Sequence, residues 1–99
     1  MIKVKKYLDG EILIGLEISG HAGYAPKGED LVCAGVSSIL TGGFNALDQN
    51  DVQEIKLDEG FAKVILKDKN CKSVNVLKVI EVQLMTIQEE FPQFIKNIK

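Results

Sequence analysis

The sequence predicts an α+β fold of two layers: a mixed or antiparallel sheet with its helices on one face, in the order β-β-α-β-β-α. Three observations carry that prediction. Short segments alternate apolar and polar residues in pairs, each pair split by a glycine-bearing turn. Two longer segments instead repeat their apolar residues at three-to-four spacing. Each hairpin pattern is followed by one of these helical patterns. The chain has 99 residues, 45% of them hydrophobic, enough for one packed core, so residues 1–99 are expected to form a single domain. No internal repeat, low-complexity tract or linker interrupts it.

The first twenty residues read as a hairpin. Ile2, Val4 and Leu8 share one face, and Ile12, Ile14, Leu16 and Ile18 then alternate with Leu13, Gly15, Glu17 and Ser19. Asp9-Gly10 between them suggests a type I′ turn, which needs positive φ at both central positions. Residues 20–29 read as loop. From about Asp30 to Leu47 the period is helical, with Val32, Val36, Ile39, Leu40, Phe44 and Leu47 on one face, although Gly35, Gly42 and Gly43 each weaken the helix. A second hairpin pairs Val52–Leu57 with Phe61–Lys67 around Asp58-Glu59-Gly60, with Gly60 in the left-handed position. Asn70 or Ser73 starts the last helix, whose apolar face is Val74, Leu77, Ile80, Leu84, Ile87 and Phe91. Pro92 ends or kinks it, which leaves Phe94, Ile95 and Ile98 as a last turn or short separate helix. Phe91, Phe94 and Ile95 offer an apolar patch for self-association.

Composition narrows the function. The formal charge is −2 and all 12 basic residues are lysine, scattered except for Lys5-Lys6, so direct nucleic-acid binding is not expected. No apolar run approaches the ~20 residues of a membrane span, and the start MIKVKKYLDG lacks the apolar core of a secretion signal. A cytoplasmic protein without membrane contact is expected, with Cys33 and Cys71 as free thiols. One histidine and two cysteines are too few for a structural zinc site, so neither metal nor cofactor is expected. Cys71, in KDKNCKSV, reads as an exposed thiol without chemistry, and Glu89-Glu90 as a solvated helix face.

The segment SGHAGYAPKGEDLVCAGVSS, from Ser19 to Ser38, concentrates the chemistry. His21, the one histidine, stands at a strand exit. Cys33 falls in the first helical turn if Asp30 caps the helix, where free amides and the positive dipole end favour a thiolate. The alternative is a small, inert core thiol. A strand-end imidazole and a helix-start thiol form the minimal pair for nucleophilic catalysis, with first-turn amides available to an oxyanion. The loop between them bears Gly23, Gly28 and Pro26, with Tyr24 as its one large side chain, and is suited to fold over an extended peptide. Spacing alone also admits a non-catalytic peptide-binding module or a redox-sensing thiol.

GHAGYAPKGEDLVCAGVS resembles the signature of the ribosomal-processing cysteine proteases, the Prp family: Gly-His-Ala, a short glycine-containing loop, then Asp-x-x-Cys followed by small residues and a serine. Gly20, His21, Ala22, Gly23, Gly28, Asp30, Cys33, Ala34 and Ser37 supply every element. The resemblance implies a cysteine endopeptidase with Cys33 as nucleophile and His21 as general base. It places Asp30 and Ser37 as supporting residues beside Gly20, Ala22, Gly23, Tyr24 and Gly28. The implied partner is the precursor of a large-subunit ribosomal protein, the one numbered twenty-seven, whose short N-terminal extension is removed. A homodimer with a mobile loop over the site is likewise implied.

Overall fold

The structure, a computed structural model, describes residues 1–98. Five strands and two helices follow one another as β1 (Ile2–Asp9), β2 (Ile12–Ser19), α1 (Leu31–Asn45), β3 (Val52–Asp58), β4 (Phe61–Leu66), α2 (Ser73–Glu90) and β5 (Ile95–Ile98), with a short 3-10 turn at Gln49–Asp51. The sheet order is β3-β4-β2-β1-β5. β1 to β4 pair antiparallel, whereas β5 runs parallel to β1, opposite Ile2–Lys5, so the sheet is mixed.

β5 corrects the expectation of a terminal helix. Helix α2 does end at Glu90, ahead of Pro92. A turn at 92–94 then delivers Ile95 to the edge of β1, where the Ile2 amide donates to the Phe94 carbonyl at 2.9 Å. Ile95 is buried there, and its pairing with β1 satisfies backbone groups that a solitary turn leaves open. The apolar patch assigned to Phe91, Phe94 and Ile95 is therefore largely covered from within the chain.

The first hairpin differs from the sequence reading in two ways. Its two-residue loop is Gly10-Glu11, closed by the Asp9–Ile12 pair, and only Gly10 has positive φ, so Asp9 does not take the left-handed position a type I′ turn would require. The pairing also slips between Tyr7–Gly15 and Leu8–Leu13, inserting an extra residue in β2. The bulge reverses the alternation: Leu13 and Leu16 both face the core, Ile12 and Ile14 are half-buried, and Leu8 is exposed.

One core joins the inward residues of the sheet, among them Val4, Leu16, Ile18, Ala62 and Val64, to Val32, Val36, Leu40 and Phe44 of α1 and Val74, Leu77, Ile80 and Leu84 of α2. Both helical stripes follow the predicted spacing. Where α1 crosses α2, a Cβ at Gly43 would lie 2.5 Å from Ile80 Cγ1, and one at Gly35 would lie 3.2 Å from Ile87 Cδ1. Gly42 has nothing within 4 Å. Two of the three helical glycines thus answer to interhelical packing. Helix α2 begins at Ser73, not Asn70, and Asp51 of the 3-10 turn caps it by accepting the Ser73 amide at 3.3 Å, with the Ser73 hydroxyl donating to the same oxygen at 2.8 Å.

Candidate active site

The strand order explains how the site assembles. Ser19, the last residue of β2, pairs with Phe61, the first of β4, so the β3–β4 turn lies beside the chain leaving β2. The Gly20 amide donates to the Gly60 carbonyl at 2.9 Å and fixes that neighbourhood. His21 then seats its ring on Gly60: a Cβ built there would stand 2.8 Å from Nε2. Gly60 also has φ +76°, so the turn and the seat both require glycine.

Opposite, α1 starts as the sequence predicts. Asp30 is extended and caps the helix, its Oδ1 accepting the Cys33 amide at 2.9 Å, which makes Cys33 the third helical residue. The other carboxylate oxygen accepts the Tyr24 amide at 3.0 Å and ties the loop to the helix start. Burial works to raise the Asp30 carboxyl, but donors from the Cys33, Tyr24 and Ala25 amides and from the Cys33 thiol outweigh it and hold the group below the usual carboxylate range. Cys33 is half-buried, and the amide of Ala22, next to His21, donates to its Sγ at 3.3 Å. Of the amides at the start of α1, that of Cys33 is taken up by the Asp30 carboxylate and that of Ala34 by the Asp30 carbonyl, so neither is free for an oxyanion; the Ala22 amide is the donor aimed at the sulfur.

His21 and Cys33 line one cleft of about 730 Å³, with Gly20, Gly23, Gly28, Asp30 and Ser37. Ser37 is exposed on the cleft wall, one helical turn beyond Cys33. Its floor is apolar, formed by Ile2, Ile18, Val36, Leu40 and Ala62. Ala22 and Tyr24 lie outside the lining. Ala22 is buried and reaches the site only through its amide. Tyr24 packs edge-on against Phe91 and Phe94, with ring centroids 5.6 and 5.3 Å away, and so fastens the loop to the C-terminal segment. Cys71 is half-buried, not exposed, with its thiol donating to the Asp68 carbonyl at 3.4 Å.

The sequence profile of the family described as cysteine protease Prp matches residues 1–96. The chain belongs to this family. The ribosomal processing cysteine protease Prp of Mycoplasma pneumoniae is 35% identical over 82 residues, covering 81% of each chain. That of Staphylococcus aureus is 30% identical over 84 residues, covering 80% of this chain and 79% of its own. The crystal structure of Prp from S. aureus with a covalently linked product peptide matches at a TM-score of 0.87 with 30% identity, spanning 98% of this chain and 97% of that one. A second S. aureus Prp structure, with a substrate peptide, matches at 0.82 with 29% identity. As a member of the family the chain is a cysteine protease, and its α+β fold with a mixed sheet is that of these relatives.

The sequence predicts the second hairpin but assigns its tip no part in the site, yet Leu57, Asp58, Glu59, Gly60 and Phe61 form one whole wall of the cleft. No chemical motif marks these residues. The usable signal was topological: a hairpin placed beside β2 brings its turn to the strand exit where His21 stands.

Proposed function

We propose that this protease is an endopeptidase in which Cys33 is the nucleophile and His21 the general base. The observation that carries this is the joint placement of the two groups: a sulfur in the first turn of α1 with an amide hydrogen bond from Ala22, and the imidazole of the adjacent residue lining the same cleft. His21 takes the Cys33 proton as Sγ attacks the scissile carbonyl carbon. The tetrahedral intermediate collapses to a thioester and expels the amine, which leaves with the proton held by His21. Water, deprotonated by His21, then hydrolyses the thioester, and the proton returns to sulfur. Asp30 holds the helix start and the loop in register, and Ser37 faces the substrate from the wall.

The substrate in this reading is the N-terminal extension of a large-subunit ribosomal protein precursor. Supporting it are the relatives named ribosomal processing proteases and the S. aureus Prp structures with substrate and product peptides. A cleft of about 730 Å³ with an apolar floor has room for several residues of a peptide. The same reading has residues 1–99 act as one domain, in the cytoplasm, as a homodimer and without a cofactor. The test is incubation with a synthetic peptide spanning the extension, followed by mass spectrometry. Wild type should release two fragments, whereas Cys33→Ala and His21→Ala should leave the peptide whole. Cleavage by Cys33→Ala at the wild-type rate would remove the nucleophile from the mechanism.

A further inference from the structure

We infer that Glu59 is a positioning residue for His21 which the loop holds in reserve: Lys27 occupies its carboxylate while the loop lies across the cleft, and withdrawal of Lys27 on substrate entry frees it to face the imidazolium. The inference rests on the Cys33–His21 assignment.

The geometry is that of a bridge between two walls. Glu59 and Gly60 form the two-residue loop joining β3 to β4, and His21 sits directly on Gly60, so Glu59 is one residue from the seat of the base. Lys27 belongs to the opposite wall, in the loop between His21 and Cys33. Its Nζ lies 2.8 Å from Glu59 Oε1, and His21, Lys27 and Glu59 all line the same cleft. The two side chains are 85% and 67% exposed, so the pair is solvent-screened and parts easily.

The other carboxylates at the site are engaged elsewhere. Both oxygens of Asp30 accept amides, one from Cys33 in the helix start and one from Tyr24 in the loop, and Asp58 pairs with Lys56 at 3.6 Å on the strand side. Among these, Glu59 alone is held by a charged side chain of the loop, that of Lys27. Lys27 holds the Glu59 carboxyl below its usual range by hydrogen bond and by charge; burial opposes this, and the charge of His21 adds to the lowering. Once Lys27 leaves, the carboxylate stands uncompensated beside the imidazole and favours its protonated form, and with it the thiolate of Cys33. Loop displacement and nucleophile activation become one event.

A simple clasp and this handover predict different things. If the pair only shuts the loop, Lys27→Gln and Glu59→Gln both open it and act alike. If Glu59 also serves His21, they act in opposite directions. The measurement is the rate at which iodoacetamide alkylates Cys33 at pH 6, where the thiolate displaces iodide, with Cys71→Ala as the background. We expect Lys27→Gln to raise that rate about threefold and Glu59→Gln to lower it about threefold. Glu59→Asp should keep the parent profile, and the exchanged pair Lys27→Glu with Glu59→Lys should fall with Glu59→Gln, because an ammonium then faces the imidazole. Equal directions for Lys27→Gln and Glu59→Gln, or a Glu59→Asp that falls with Glu59→Gln, would overturn the assignment. His21→Ala in the same assay separates the two levels. If it leaves the profile unchanged, the dyad itself is wrong. If it slows alkylation while the pair variants act alike, only the role of Glu59 is lost.

Discussion

The ring of His21 rests on the bare backbone of Gly60, 2.8 Å from where a Cβ would stand. The imidazole is thereby located by a residue that contributes no side chain, on a hairpin outside the Gly20–Ser37 segment. Gly60→Ala tests this directly. The left-handed φ of +76° costs on the order of 1 kcal/mol for alanine, and the methyl must displace the imidazole. Peptide cleavage should fall at least about tenfold, with a melting temperature only a few degrees lower. Wild-type cleavage in a folded Gly60→Ala protein would show that the seat does not position the proposed base, His21.

The two adjacent glycines of α1 should respond in opposite senses. Gly42→Ala meets nothing within 4 Å and gains helix propensity, so it should stabilise by up to about 1 kcal/mol. Gly43→Ala drives a methyl into Ile80 and should cost about 1–3 kcal/mol despite the same propensity gain. Urea unfolding of the pair decides the matter, and equal midpoints would refute the interhelical contact.

Asp30 sets an acid limit on stability. Its carboxyl is held below the range it has in the unfolded chain, so the stabilising contribution is complete above the unfolded value near about 3.9 and is lost as pH falls through the lower folded value. Asp30→Asn keeps a capping oxygen but not the charge. The melting temperature of the wild type should exceed that of Asp30→Asn at pH 7, and the gap should close as the pH is lowered toward 3. A gap constant with pH would assign the difference to packing instead of charge.

Tyr24 should act on the loop and not on the chemistry. Its ring meets Phe91 and Phe94, contacts of a kind worth about 0.5–1.5 kcal/mol each, outside the cleft lining. Tyr24→Ala is expected to change KM for the peptide and to expose residues 22–29 to limited proteolysis, with kcat within about threefold of wild type. A fall confined to kcat would place the ring in the reaction itself.

Much of this architecture was readable from residues alone, for identifiable reasons. The stripes of α1 and α2 follow three-to-four spacing because each helix buries one face, and Asp30 marks a helix start because a carboxylate there satisfies free amides. The joint placement of His21 and Cys33 followed from their positions at a strand exit and a helix start. The bulge near Ile14 was hidden because apolar residues occupy both faces of β2, so alternation did not fix which face is inward. Strand β5 was hidden because four residues after a proline carry no periodicity; their conformation is dictated by the exposed edge of β1. The hairpin wall of the cleft was hidden for a related reason, since Glu59 and Gly60 acquire their roles only from the neighbour that the sheet order gives them.

The parallel pairing of β5 with β1 has a consequence for biosynthesis. Ile2 leaves the ribosome more than ninety residues ahead of Ile95, yet they are partners, and Tyr24 waits on Phe91 and Phe94 in the same way. Contacts so distant along the chain slow folding and postpone its final step. The nascent protease is therefore expected to complete its sheet and anchor its loop only after residue 95 has emerged from the exit tunnel.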